Sequence, residues 1–155
     1  MAHESITDDE INDLIRRTAE ANSAFMRGDM SRYLTLITHA DDYTLMAPFG
    51  GTPTRGFDTS SDGLAKLSRF FKSGTSRVDV VQTYASDDMA VLVTIERQRC
   101  EVGGLPEQDW SLRVTEVYRR DGAEWRLVHR HADPLVHGIS LEQAAALARG
   151  RPGGA

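Results

Sequence analysis

The stretch RVTEVYRRDGAEWRLVHRHADPL, Arg113–Leu135, reads as two strands joined by a turn. β-branched and aromatic residues alternate with polar ones on both sides of Asp121–Glu124, and the Asp-Gly pair inside that link suits an antiparallel hairpin. With Asp121–Glu124 as the loop, Arg120 pairs with Trp125 and Tyr118 with Leu127. Unbroken alternation then sets Glu116 opposite His129 and Val114 opposite His131. A two-residue loop slides the pairing by two, yet Glu116, Tyr118, His129, His131 and Asp133 still share one face.

Outward from this hairpin, SRVDVVQTYA (76–85) and MAVLVTIERQRC (89–100) have the same period of two. SDD and GGLPEQ separate the runs with turn chemistry, so the second half predicts a four-strand antiparallel meander. The first half differs. TDDEINDLIRRTAEANSAFMRGD carries a Thr7–Glu10 capping box and an apolar stripe through Ile11, Leu14, Ile15 and Phe25, ending at Gly28. Asp29 caps a second short helix, MSRYLTLIT, with Met30, Leu34 and Ile37 on one side. DDYTLMAPFGG predicts a strand, and SDGLAKLSRFFKSG a third helix ending at Gly74. SLEQAAALAR, with a Ser140–Gln143 capping box, predicts a last short helix before a flexible tail.

Helices first and strands later predict an α+β domain, with a curved antiparallel sheet wrapped over the N-terminal helices. Its 155 residues suit a single domain, with the core at about 7–136. A hydrophobic share of 40% with 26% charged residues fits a soluble globular chain, and no apolar run approaches a membrane span. The polar, acidic start MAHESITDDE lacks the apolar segment of a signal peptide, which sets a cytoplasmic location as the expectation. The net charge of −5, with basic residues scattered among acidic ones, argues against a nucleic-acid partner. Cys100 is the only cysteine, so neither an intramolecular disulfide nor a multi-cysteine zinc site can form.

A sheet wrapped over helices leaves a conical cavity between the layers, a usual place for a small-molecule site. Cross-strand neighbours are close enough for a carboxylate to fix an imidazole tautomer. His129 is therefore expected as a base, Glu116 as its orienting carboxylate, and His131 and Tyr118 as further members of a proton-transfer group. Met46, Phe49 and Trp110 are expected in the ligand-binding wall, with Asp133 beside the histidines. Arg97 and Arg99 are expected to face outward. Two histidines one residue apart, with Glu116 or Asp133, could also hold a metal as a two-histidine, one-carboxylate set. No further motif supports that reading, and the expectation is that the site needs neither metal nor cofactor. Val91, Val93 and Ile95 share one face of their strand while Leu92 and Thr94 share the other. A strand apolar on both faces fits a sheet buried on both sides, which predicts a homodimer formed through the sheet.

The element order, the segment FMRGDMSRYLTLITHADDYTLMAPFGG and the ending RVTEVYRRDGAEWRLVHRHADPL resemble the SnoaL-like group of the ketosteroid isomerase and nuclear transport factor 2-like fold. The resemblance spans roughly Thr7 to Val136. It implies a cone with an internal pocket, and it suggests isomerase, dehydratase or cyclase chemistry on an apolar carbonyl-type molecule. The same ending resembles the association domain of calmodulin-dependent kinases, which implies a non-catalytic assembly module as the alternative. Ketosteroid isomerase uses an aspartate base with a tyrosine and a protonated aspartate as its oxyanion hole. Alignment on that pattern sets Ala47 at the base and Ala21 at the tyrosine, and only Glu116 falls on the carboxylic acid. The resemblance therefore does not extend to steroid isomerisation by that mechanism.

Overall fold

The computed structural model describes residues 6–150. The element order is α1 (Asp8–Met26), α2 (Met30–Leu36), β1 (His39–Met46), β2 (Thr54–Arg55), α3 (Ser61–Phe70), β3 (Phe71–Ala85), β4 (Met89–Val102), β5 (Gln108–Asp109), β6 (Leu112–Asp121), β7 (Glu124–Asp133) and α4 (Leu141–Arg149). The α+β expectation holds: a curved, unclosed sheet carries the helices. Its strand order is β2-β1-β7-β6-β4-β3, with β5 paired to β4. One pairing departs from the all-antiparallel expectation, because β1 runs parallel to β7. β2, α3 and the strands β3 to β6 separate β1 from β7 in sequence, so no hairpin constrains their direction.

Local chemistry sets the helix ends. Thr7 Oγ1 accepts from the Glu10 amide at 3.1 Å, and Glu10 Oε2 accepts from the Thr7 amide at 2.8 Å. Leu14, Thr18, Ala21, Asn22 and Ala24 form the buried side of α1, and the two alanines let the helix approach closely. α2 buries Met30, Tyr33 and Leu36. The third helix stops earlier than expected. Phe71 already begins β3, and Gly74 lies inside that strand. A Cβ at Gly74 would meet the Met26 carbonyl oxygen at 2.6 Å and Cys100 Cβ at 2.7 Å, so this glycine serves the close passage of β3 under the end of α1. α4 carries the expected Ser140–Gln143 capping box but buries none of its residues. The tail expected to be flexible falls partly on residues 151–155, outside the described residues.

β4 alternates as read, with Leu92, Thr94, Glu96, Gln98 and Cys100 buried on its inner face, whereas β3 is mostly exposed and its pairing with β4 is interrupted at two places. Val91, Val93 and Ile95 take its outer face and are only half-buried. The β6–β7 hairpin starts in the expected register, Arg120 opposite Trp125 and Tyr118 opposite Leu127. Beyond that point it shifts. Val117 pairs with His129, Glu116 with Arg130 and Thr115 with His131, which leaves Val128 as the extra residue of a β-bulge. The bulge reverses the facing of everything after it.

Energetics explain the shift. Trp125 and Leu127 are buried in the main core, and Ala132 is buried with Leu112 and Val114 in a second cluster. These residues lie in opposite phases of a regular strand, so only an inserted residue buries all three. An unbulged β7 would bury two imidazoles instead, at about 1–3 kcal/mol for each one left without a partner. The bulge forfeits a ladder hydrogen bond worth about 1 kcal/mol. It also turns Arg130 inward, where Glu96 accepts from its guanidinium through both oxygens, so no unpaired charge offsets the burial of Ala132.

Candidate functional site

The bulge corrects the expected site. His129 and His131 turn to the outer face, opposite the side that Glu116 occupies. His129 Nδ1 lies 2.7 Å from Thr44 Oγ1 of β1, and His131 is exposed. Asp133 shares that outer face, where its two oxygens accept from Arg113 at 2.8 and 3.0 Å. The carboxylate Glu116 and the two histidines are thus split between faces, which separates the proposed acid–base group. It also separates any metal set that would combine them. Among the described residues no cluster of three or more histidine, cysteine, aspartate or glutamate side chains could hold a metal ion. Met46 is 42% exposed and is not in the cavity wall. Tyr118 is inward but sealed in the core, its hydroxyl 2.8 Å from Thr18 Oγ1. Arg97 faces outward, 3.1 Å from Asp79, and Arg99 is exposed.

Three of the expected residues do meet. Glu116, Phe49 and Trp110 line a cavity of about 170 Å³ between the sheet and the helices. Phe49, 59% exposed, and Trp110 lie ring to ring at 5.6 Å at its rim. Deeper walls are aromatic: Phe25, Tyr33, Tyr43, Phe57 and Phe71.

At the polar end the shift of β7 supplies a residue that sequence reading missed. Arg130 enters where His129 and His131 were expected. Its guanidinium donates to both oxygens of Glu96, at 2.8 and 2.7 Å, and lies 3.6 Å from Glu116 Oε2. Asn22 Nδ2 of α1 donates to Glu96 at 2.7 Å. Glu96 is 1% and Glu116 3% exposed, so two carboxylates share one arginine inside the protein. Glu96 is saturated by these donors. Glu116 is not, because its Oε1 is buried with no hydrogen-bond partner in the protein.

Electrostatics follow from this asymmetry. Burial pushes the Glu116 carboxyl up to about 7; Arg130 pulls against that rise and the Glu96 charge adds to it. Burial opposes the Arg130 charge, but Glu96 and Glu116 outweigh it and raise its pKa well above the usual arginine value. Burial likewise raises Tyr33 and Tyr43, so both phenols stay protonated. His39, also missed, bonds Tyr33 Oη through Nε2 at 3.0 Å and stacks on Phe57 at 4.0 Å. Burial lowers its pKa to about 4, which keeps it neutral.

Two signals in the sequence pointed toward this arrangement. Glu96 shares the phase of Leu92 and Thr94, opposite Val91, Val93 and Ile95, so it belongs to the inner face by alternation alone. Ala132 is out of phase with Trp125 and Leu127, which a bulge reconciles.

Comparison with known proteins agrees on architecture. A Streptomyces avermitilis protein named as a candidate dehydratase of the nuclear transport factor 2-like family is 19% identical over 84% of this chain and 99% of its own, with a TM-score of 0.67. A Salmonella enterica member of the nuclear transport factor 2-like superfamily is 16% identical over 85% of this chain and 98% of its own, with a TM-score of 0.64. The association domain of CaMKII from C. elegans is 13% identical over 81% and 95%, with a TM-score of 0.57. At these identities the likeness is one of fold alone. Among curated proteins none matches the chain in sequence. Residues 11–136 match the SnoaL-like domain, and the chain belongs to that family.

Proposed function

We propose that the cavity binds a small organic molecule and moves a proton on it, as a cofactor-free isomerase, dehydratase or cyclase acting beside a carbonyl. The observation that carries this reading is Glu116 Oε1, a buried carboxyl oxygen with no partner in the protein, in the wall of an aromatic cavity. A group with a pKa of about 7 is present in both forms near neutral pH, which suits general acid–base work. In this reading the ionised Glu116 takes a proton from the carbon next to the carbonyl. The acid so formed returns it to a second carbon, or to a leaving hydroxyl. Tyr43, protonated and in the same wall, donates to the oxygen where charge develops. Arg130, held by Glu96, keeps the Glu116 side chain in place. The proton-transfer role thus moves from His129 to Glu116.

Exchange of ketone α-protons in D2O tests this. With cyclohex-2-enone as the probe, wild-type protein should speed exchange above buffer, and Glu116→Gln should lose about 100-fold or more of that acceleration. No acceleration, or equal rates in the two proteins, would sink the proposal.

We also propose that the outer face of the sheet pairs with a second copy of the chain. Support comes from Val91, Val93, Ile95 and Val117, which lie together on that face and are only half-buried in the monomer. The likeness to an association domain points the same way. Sedimentation should show a dimer for the wild type and a monomer for Val93→Lys, which sets like charges against an apolar surface on both partners. A monomeric wild type would refute the dimer.

A further inference from the structure

The outer face of the sheet carries a block of side chains that the cavity does not use. β1 and β7 run parallel there, with Thr44 opposite His129, Leu45 opposite Arg130 and Met46 opposite His131. Leu45 and Arg130 line the cavity, so alternation turns the other four residues outward. We propose that His129, His131 and Met46 bind one copper(I) ion, which ties β1 to β7.

The register brings three neutral donors to one place. The two histidines lie about 6.6 Å apart along β7, and Met46 lies about 4.8 Å from His131 across the pair. At those spacings two imidazoles lean together over a single ion, and a flexible thioether reaches it from the next strand. Met46 is 42% exposed and His131 is exposed, so neither is committed to the core. His129 Nδ1 lies 2.7 Å from Thr44 Oγ1. With Nδ1–H donated to that hydroxyl, the ring is held in orientation and keeps a lone pair on Nε2, which is what a ligating histidine needs.

Neighbouring charges select the ion. Asp133 shares the face, but its oxygens accept from Arg113 at 2.8 and 3.0 Å, and Glu116 lies on the cavity side of the sheet. A hard divalent ion therefore finds no free carboxylate or thiolate here, whereas two imidazoles and a thioether suit a soft monovalent one. Arg55, opposite Thr44 on β2, is exposed and lies on the side of β1 away from the histidines. Other soft donors do not compete, because Cys100, Met26 and Met30 are buried. The site stands apart from the cavity, and its test is independent of the role given to Glu116.

Competition for copper(I) with bicinchoninate, under ascorbate and without air, tests the proposal on untagged protein. A His3→Asn background removes the imidazole near the start of the sequence. The chain should take up one equivalent. His129→Asn and His131→Asn should each weaken binding by more than about 100-fold, and Met46→Leu and Thr44→Val each by about tenfold. Copper(I) at about a hundred times Kd should raise Tm by about 5–10 °C in wild type and leave His131→Asn unmoved. X-ray absorption should show a sulfur neighbour that Met46→Leu lacks. Zinc(II) should bind more weakly and be indifferent to Met46→Leu. Tighter binding of zinc(II), or a copper(I) affinity unchanged in Met46→Leu, overturns the choice of ion and the thioether ligand. No copper(I) binding, or binding that survives His131→Asn, overturns the site. Val93→Lys should bind as wild type does; a loss there would divide the ligands between two chains and overturn the single-chain set.

Discussion

Replacing Arg130 with methionine should lower the unfolding free energy by about 3–5 kcal/mol at neutral pH. The side chain neutralises Glu96, a carboxylate 1% exposed, through two donors at 2.7 and 2.8 Å. Without it Glu96 keeps only Asn22, and Glu116 loses its one positive neighbour. Uncompensated buried charge is what makes the single replacement costly. The pair itself contributes little net stability, because desolvation of both ions offsets most of their attraction. Glu96→Gln combined with Arg130→Met should therefore recover most of the loss. Urea denaturation of wild type, single and double variants at pH 7 gives the comparison. Arg119→Met, which removes an exposed pair with Asp42, should leave stability nearly unchanged and serves as the control. A single variant within about 1 kcal/mol of wild type, or a double variant no better than the single, contradicts this account.

Glu116→Gln should stabilise the protein, and by an amount that depends on pH. The carboxyl ionises near 4.5 in the unfolded chain and near 7 in the fold, because burial penalises its charge. A raised folded pKa means that its contribution to stability is fully present below 4.5 and is lost as pH rises through 7. Glutamine does not ionise and has nothing to lose over that window. The difference between variant and wild type should be near zero at pH 4.5 and grow to about 3 kcal/mol above pH 7.5. Parallel denaturation series across this range check it. A difference that does not change with pH would show that the carboxyl ionises normally and would remove the basis for its acid–base role.

The hairpin Arg113–Leu135 shows where sequence reading succeeds and where it stops. Its turn and first pairs were legible because Asp121–Glu124 is local turn chemistry and the alternation beside it is regular. Glu116 was placed inward correctly, since β6 is unbroken. Phe49 and Trp110, expected in the ligand-binding wall, do line the cavity. His129, His131 and Asp133 were placed on the wrong face because one uncounted residue, Val128, reverses the phase. Arg130 was missed for the same reason. Met46 was misplaced together with its β7 neighbour His131, for the two are register partners on the outer face.

What the sequence determined by itself is what neighbouring residues decide between them: capped helices, alternating strands, turn positions and hence an α+β domain. The tertiary structure decided which face of β7 meets the helices and which strand lies beside β1. Both depend on side chains far apart in the chain. Trp125 and Leu127 pack into one cluster and Ala132 into another, and a periodic pattern within β7 cannot express that demand.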